Sequence, residues 1–289
     1  MKQEHEIEKL LLKGKIFLAP MAEINDIAFR LLCKKAGCSL TYTGMLNPLT
    51  QHKIDLQDKP AIQIFCKTDK GIKEFIKKYN SKASLWDFNL GCPAKLAKQH
   101  GYGAYMSKEL EAIEKILQTM KQATKKPITI KLRKTDNTED ILKIAEKYCS
   151  AICIHPRTPQ QGYSGEPDLE YAKHIKAISS IPIIYSGNVN ENNIPELLKI
   201  FDAVMIGRDA IGDPNIFARL SNKEGKKVKE IKTPFKEYLK LAKKYKLKYS
   251  QLKLQAFNFT KKHAGAKKIR GLLVQAKTLE DVEGLMKGL

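Results

Sequence analysis

The sequence predicts an α/β chain, a (β/α)8 TIM barrel followed by a small helical C-terminal domain. Three observations carry that expectation. Eight short runs rich in β-branched residues alternate with helix-forming stretches between Ile16 and Arg208, and such runs suit parallel strands covered on both faces. Eight strand–helix units in succession suit closure into a barrel. Beyond Leu220 the strand pattern stops and a lysine-rich, helix-periodic pattern replaces it.

The elements follow in order. The opening MKQEHEIEKLLLKGK mixes glutamates with lysines, and its apolar run is too short for a signal peptide, which predicts a cytoplasmic protein. The first strand is expected over Ile16–Ala22. A helix from about Asn25 places Ile27, Ala28, Leu31 and Leu32 on one face and ends at Gly37. Strands follow at Leu40–Met45 and Ala61–Cys66, then a helix capped by Asp69 that runs to Tyr79. The fourth strand, Leu85-Trp86-Asp87-Phe88, precedes a helix from Ser107 with Leu110, Ile113 and Ile116 in register. Strands at Pro127–Arg133 and Ala151–Arg157 flank a helix over Thr138–Cys149. A loop, TPQQGYSGEPD, leads to the helix Leu169–Ile178. Strands Ile181–Gly187 and Ala203–Arg208 are separated by a helix ending near Ile200. Asn222–Lys229 suits a linker, Phe235–Phe259 one or two helices, and Leu279–Met286 another. Residues 1–222 form the expected barrel domain and residues 230–289 the expected helical domain.

Composition narrows the function classes. With 289 residues, 43% hydrophobic and 29% charged, the chain is globular. No apolar run approaches the ~18 residues of a membrane span. Six cysteines (33, 38, 66, 92, 149 and 153) contain no CxxC pair, so reduced, unlinked thiols are expected. No HExxH motif or His/Asp cluster points to a metal, and no GxGxxG or GxxxxGK[ST] points to a Rossmann or P-loop site. The net charge is +21. From Ser221 onward 19 Lys and Arg face 6 Asp and Glu, a net of +13. Drift toward lysine, or a solvated helix face, is the plain explanation of such a tail. Thermophile-style enrichment would raise glutamate along with lysine, so the imbalance favours a polyanionic partner.

The densest chemistry lies in Ser84–Met106, SLWDFNLGCPAKLAKQHGYGAYM. Its strand breaks at Asn89-Leu90-Gly91-Cys92-Pro93, which places a carboxamide and a thiol where glycine and proline make the backbone tight. A free thiol titrates near ~8.5, so at neutral pH Cys92 can serve as general acid or as nucleophile, beside the commoner role of packed thiol. Gly101 and Gly103 around Tyr102 would let that loop lie close to something flat.

In TIM barrels the active site sits at the C-terminal strand ends. That rule gathers Pro20, Met21, Gln63, Asn89, Cys92, Lys131, Arg133, His155, Arg157, Ser186, Gly187, Asn188, Gly207 and Arg208 into one candidate site. The loops after the last two strands commonly hold a phosphate, which suits Ser186-Gly187-Asn188 and Gly207-Arg208. Lys131 lies in an apolar strand. It is either a barrel lysine satisfied by a carboxylate, a Schiff-base nucleophile, or a fixed cation beside a cofactor.

Together these segments resemble the tRNA-dihydrouridine synthases, flavin-dependent TIM-barrel enzymes with a helical C-terminal domain. The matching stretches are LAPMAEINDIAFR from Leu18, DKPAIQIF from Asp58, FNLGCP from Phe88, GYGAYM from Gly101, ITIKLR from Ile128, IHPRTPQQGYSGEPD from Ile154, IPIIYSGNV from Ile181 and VMIGRDAIGDPNIF from Val204. The likeness covers roughly residues 16–220, with a weaker echo at HAGAKKIRG from His263. It implies FMN as cofactor, NADPH or NADH as reductant, and tRNA as substrate and partner. Pro20, Met21 and Gln63 would lie against the flavin ring and Lys131 beside its pyrimidine edge. His155, Ser186, Gly187, Asn188, Gly207 and Arg208 would surround the phosphate. Cys92 would be the general acid that protonates carbon 5 of a uracil. Asn89, Arg133 and Tyr163 would hold a flipped-out uridine. Several positions depart from the family pattern: Ser186-Gly187-Asn188 replaces NGD, Pro156 and Cys66 replace glycines, and Asn215 replaces a tryptophan. Competing readings are a dihydroorotate dehydrogenase-like or enone reductase acting on a small molecule, a Schiff-base aldolase using Lys131, and a non-catalytic RNA-binding protein.

Overall fold

The computed structural model describes residues 2–261, 263 and 265–287, with side chains from Ile7 onward. Eight parallel strands are present: β1 (Ile16–Leu18), β2 (Tyr42–Leu46), β3 (Ala61–Ile64), β4 (Trp86–Leu90), β5 (Ile128–Arg133), β6 (Ala151–His155), β7 (Ile183–Ser186) and β8 (Ala203–Ile206). They are ordered β1-β8-β7-β6-β5-β4-β3-β2, and a parallel bridge between Phe17 and Leu40 brings β1 back beside the β2 edge. All eight expected strands form; Gln63, Asn89, Lys131, Arg133, His155 and Ser186 lie within them, and Cys92, Arg157, Asn188 and Arg208 follow just beyond their ends.

The two-residue side-chain period divides the strands between two cores. Trp86, Phe88 and Leu90 of β4 and Ile128, Ile130 and Leu132 of β5 face the helices, in one cluster with Ile72, Ile76, Ile113 and Ile116. Alternate residues, including Phe17, Tyr42, Ala61, Ala151, Cys153, Ile184, Ala203 and Met205, fill the barrel interior. Polar residues share that inward alternation. The register places Gln63, Asp87 and Thr129 in one row, Asn89, Lys131 and Cys153 in the next, and Arg133 with His155 above them. Charge thus rises through the barrel toward the C-terminal strand ends.

The helices are α1 (Lys2–Lys13), α2 (Ile27–Lys35), α3 (Ile72–Tyr79), α4 (Lys95–His100), α5 (Leu110–Ala123), α6 (Thr138–Tyr148), α7 (Leu169–Ile178), α8 (Ile194–Ile200) and α9 (Ile216–Lys223). The sequence reading assigned none of α1, α4 and α9 to an element. α1 is charge-rich, and its Ile7 enters the interior cluster beside Phe17, Leu40 and Leu85, so its helicity depends on that docking. The expected Asp69 cap is corrected: α3 starts at Ile72 behind Gly71, whose φ is 75°. The Asp69 carboxylate instead accepts from Thr119 Oγ1 at 3.4 Å.

After a connection, α10 (Pro234–Lys244), α11 (Tyr249–Phe259), α12 (Ala266–Gln275) and α13 (Leu279–Met286) complete a helical portion. The expected Phe235–Phe259 stretch resolves into two helices, and α12 was not anticipated. One position of the weak echo from His263, residue 264, falls outside the described residues. Phe235, Tyr238, Leu252 and Phe259 belong to the same core cluster as Phe29 and Leu32 of α2. Tyr238 Oη, Gln251 Nε2 and Gln255 Nε2 all donate to the Asp26 carboxylate, at 3.2, 2.8 and 3.0 Å. Gln251 and Gln255 also donate to the carbonyls of Glu23 and Ile24, at 2.6 and 2.7 Å. The β1–α2 loop, which carries Pro20 and Met21, is therefore held from behind by α11.

Gly212 marks the tightest approach between these parts. Its φ is +77°, and an added Cβ would stand 2.0 Å from Asn258 O. Gly212→Ala is expected to destabilise the chain by roughly 3 kcal/mol, combining overpacking with left-handed backbone strain. A denaturant midpoint equal to that of the parent would show that this close approach is not maintained in solution.

Candidate active site

A cavity of about 370 Å³ opens at the C-terminal strand ends, within the ~300–1,000 Å³ usual for ligand sites. Pro20, Met21, Asn89, Cys92, Lys131, Arg133, His155, Tyr163, Ser186, Gly187, Asn188, Gly207 and Arg208 all line it. Gln63 is placed differently. It is fully buried and reaches the cavity only through Asn89, whose Nδ2 donates to Gln63 Oε1 at 2.7 Å.

One end of the cavity is built for an anion. His155, on the last residue of β6, is neutral: burial first, then the charges of Lys131, Arg133, Arg157 and Arg208, push its pKa down to about 2. Its Nε2 faces Arg157 Nη1 at 3.4 Å. A guanidinium only donates, so Nε2 must accept and Nδ1 carries the proton. That Nδ1–H is buried and has no hydrogen-bond partner. An unsatisfied donor ringed by four cations calls for an anionic oxygen.

Arg157 was gathered among the strand-end residues but given no role, and it organises this end. It is 1% exposed and donates to Gly165 O through Nε at 3.1 Å and Nη2 at 2.6 Å, and to Asn188 Oδ1 at 3.0 Å. Asn188 Nδ2 in turn donates to Glu166 Oε2 at 2.8 Å. The Asn188 side chain is thus occupied within the protein, which leaves its backbone as the part available to a phosphate. Nothing in the local sequence distinguished Glu166 in advance. Tyr163, 52% exposed, lies under two guanidinium groups, with Arg208 Cζ 4.2 Å and Arg133 Cζ 5.2 Å from its ring centre.

The other end carries the thiol. Of the six cysteines only Cys92 is not buried. Burial pushes the other five thiols up, Cys66 to about 12. Cys66 packs in the outer core and does not line the cavity, which settles its place among the departures from the family pattern. Asn89 Oδ1 accepts the Cys92 N–H at 3.0 Å and the Gly91 N–H at 3.3 Å, and Cys92 O accepts from Ala104 N at 3.2 Å. Gly103 is required here. At φ +56°, a Cβ on it would sit 2.7 Å from Cys92 O. The surface that the small loop lies against is therefore the Cys92 turn itself. Arg133 braces the same turn, donating to Gly91 O at 2.9 Å, Thr158 O at 3.1 Å and Gly162 O at 2.6 Å.

Beneath the site lies Asp87, 1% exposed, with its carboxyl pushed up to about 6 by burial, against the pull of Thr129, Gln63 and Lys131. Its signal in the sequence was a charge inside an apolar strand. Lys131 Nζ makes no ion pair among the described residues, so the barrel lysine is not neutralised by a direct contact. Asn215 also has a physical account: it exchanges two hydrogen bonds with Ile231, at 3.0 and 2.9 Å, and anchors the connection to the helical portion.

The family model described as dihydrouridine synthase (Dus) matches residues 17–283. The chain belongs to the dihydrouridine synthase family. Among curated relatives it is 33% identical over 227 residues to a tRNA-dihydrouridine synthase B of Pasteurella multocida, covering 71% of this chain and 68% of that one. It is 32% identical over 230 residues to a tRNA-dihydrouridine synthase B of Xanthomonas axonopodis pv. citri, covering 72% and 69%. Among solved structures, a variant of NCR from Zymomonas mobilis superposes with a TM-score of 0.52 at 10% identity, over 78% of this chain and 91% of that one. That likeness speaks for the barrel fold alone. A dihydrouridine synthase is a flavin-dependent oxidoreductase, and the residues present fit a flavin phosphate on this structure's own terms: the His155 Nδ1–H lacks an acceptor within a ring of cations. No helix among the described residues is long and apolar enough to cross a membrane, and no group of three or more potential metal ligands occurs among them.

Proposed function

We propose that this dihydrouridine synthase holds FMN in the cavity, takes electrons from NADPH or NADH, and reduces the 5,6 double bond of uridines in tRNA. The observation that supports this most directly is one cavity with an anion-seeking end at His155 and a lone accessible thiol at Cys92. Reduced flavin, when bound, supplies the hydride to carbon 6 of the uracil. Cys92 Sγ gives its proton to carbon 5, the work of a positioned general acid.

The remaining residues bind and orient. His155, Ser186, Gly187, Gly207, Arg208 and the Asn188 backbone receive the phosphate. Pro20 and Met21 form the wall against the ring. Lys131 supplies a fixed positive charge, which favours an anionic reduced ring. Gln63 contributes through Asn89 rather than by facing the ring. Arg133 and Tyr163 are the side chains left to meet a base, and Asn89, with both ends of its amide engaged, holds the Cys92 turn. A base in folded RNA must leave its stack to arrive there. Residues 230–289 act as the docking domain for the phosphate backbone, beside a catalytic barrel of residues 1–222.

Flavin reoxidation tests the proposal. The purified protein, its flavin reduced anaerobically, is mixed with unmodified tRNA transcript, free uracil or orotate. Rapid reoxidation by tRNA alone is the expected result. Reoxidation by a free pyrimidine would move the substrate class to small molecules, and a preparation without flavin but with a borohydride-trapped Lys131 adduct would point to an aldolase.

A further inference from the structure

We infer that Asp87, which does not line the cavity, positions Cys92 by setting the donor–acceptor polarity of a buried chain running Asp87–Gln63–Asn89–Cys92. Its functional consequence rests on the role proposed above for Cys92; its structural consequence does not.

A side-chain amide has an accepting end and a donating end of nearly equal size, so packing alone does not choose between its two orientations. A carboxylate only accepts. Asp87 takes the Thr129 hydroxyl on one oxygen and Gln63 Nε2 on the other, the latter at 2.6 Å. Gln63 must then turn its oxygen outward, where it accepts Asn89 Nδ2 at 2.7 Å. Asn89 must in turn aim Oδ1 at the Cys92 and Gly91 N–H groups, at 3.0 and 3.3 Å.

Thr129 and Gln63 are 0% exposed, Asp87 1% and Asn89 5%, so bulk water does not compete for any link. With Asn89 reversed, its NH2 would meet two backbone N–H donors. Each donor so stranded costs about 1–3 kcal/mol. The turn that carries the thiol would open. At neutral pH Asp87, at about 6, is mainly ionised and therefore an acceptor.

Two variants separate polarity from mere packing. Asp87→Asn keeps the shape but allows both orientations of the chain. The double variant Asp87→Asn/Gln63→Glu moves the acceptor-only group one link along, so that it accepts from both neighbours and Asn89 stays as it is. The primary readout is the rate of Cys92 alkylation by iodoacetamide in the flavin-bound protein, with the five buried cysteines as internal reference, alongside reoxidation by tRNA.

Asp87→Asn is expected to raise Cys92 alkylation roughly tenfold and to slow reoxidation at least as much, and the double variant to return alkylation toward the parent rate. Unchanged alkylation in the single variant, a double variant no closer to the parent than the single, or failure of both to fold would each overturn the inference. Should the parent not turn over tRNA, the alkylation series still decides it.

Discussion

Cys92→Ala is expected to keep its flavin and to lose roughly 10²–10⁴-fold in uridine reduction, the usual contribution of a positioned general acid. The substitution removes Sγ and leaves the rest of the turn in place. Alanine retains the N–H that donates to Asn89 Oδ1 and the carbonyl that accepts from Ala104, and its Cβ occupies the space beside Gly103 that the cysteine Cβ already fills. The anion end of the cavity lies on β6, β7 and β8, so cofactor retention should not respond. The measurement is the rate of flavin reoxidation by tRNA, with reduction of the flavin by the nicotinamide as control. Normal reduction followed by slow reoxidation is the expected pattern. A parent-like reoxidation rate would remove Cys92 from the chemistry.

Affinity for tRNA is expected to fall by roughly 10³-fold or more between 50 and 200 mM salt, as for proteins that displace several counterions from a nucleic acid backbone. The net charge of +13 beyond Ser221 supplies the cations. Deleting the helical portion is a poor test, because Gln251, Gln255 and Tyr238 hold the β1–α2 loop behind Pro20 and Met21. Neutralising exposed lysines leaves that support intact. Lys240, Lys244 and Lys248 are exposed on α10 and just before α11. Changing all three to glutamine is expected to lower the slope of log affinity against log salt by up to about three, one for each phosphate that is no longer neutralised. Parallel slopes for parent and variant would take this surface out of the docking role.

Much of the site could be read before the structure because a barrel converts sequence order into spatial order. Each strand delivers its C-terminal residue to the same mouth, so Asn89, Lys131, Arg133, His155 and Arg208 could be grouped without any knowledge of distances. Roles that depend on which hydrogen bonds form were less legible. Gln63 looked like a wall residue and proved to be an interior link, because its position on β3 lies one register row below Asn89. Asn188 looked free to bind a phosphate, yet Arg157 and Glu166 engage both ends of its amide. α1 and α12 carry weak local signals and depend on docking, as short charge-rich helices do.

The sequence by itself determined the barrel, its strand order, the basic helical extension and the grouping of polar residues at one end, because alternation, strand–helix succession and net charge are properties of order and composition. Only the tertiary structure decided which thiol is accessible, which nitrogen of His155 carries the proton, and which way the buried amides point. Those outcomes follow from burial and from partners distant in the chain, which no local pattern encodes.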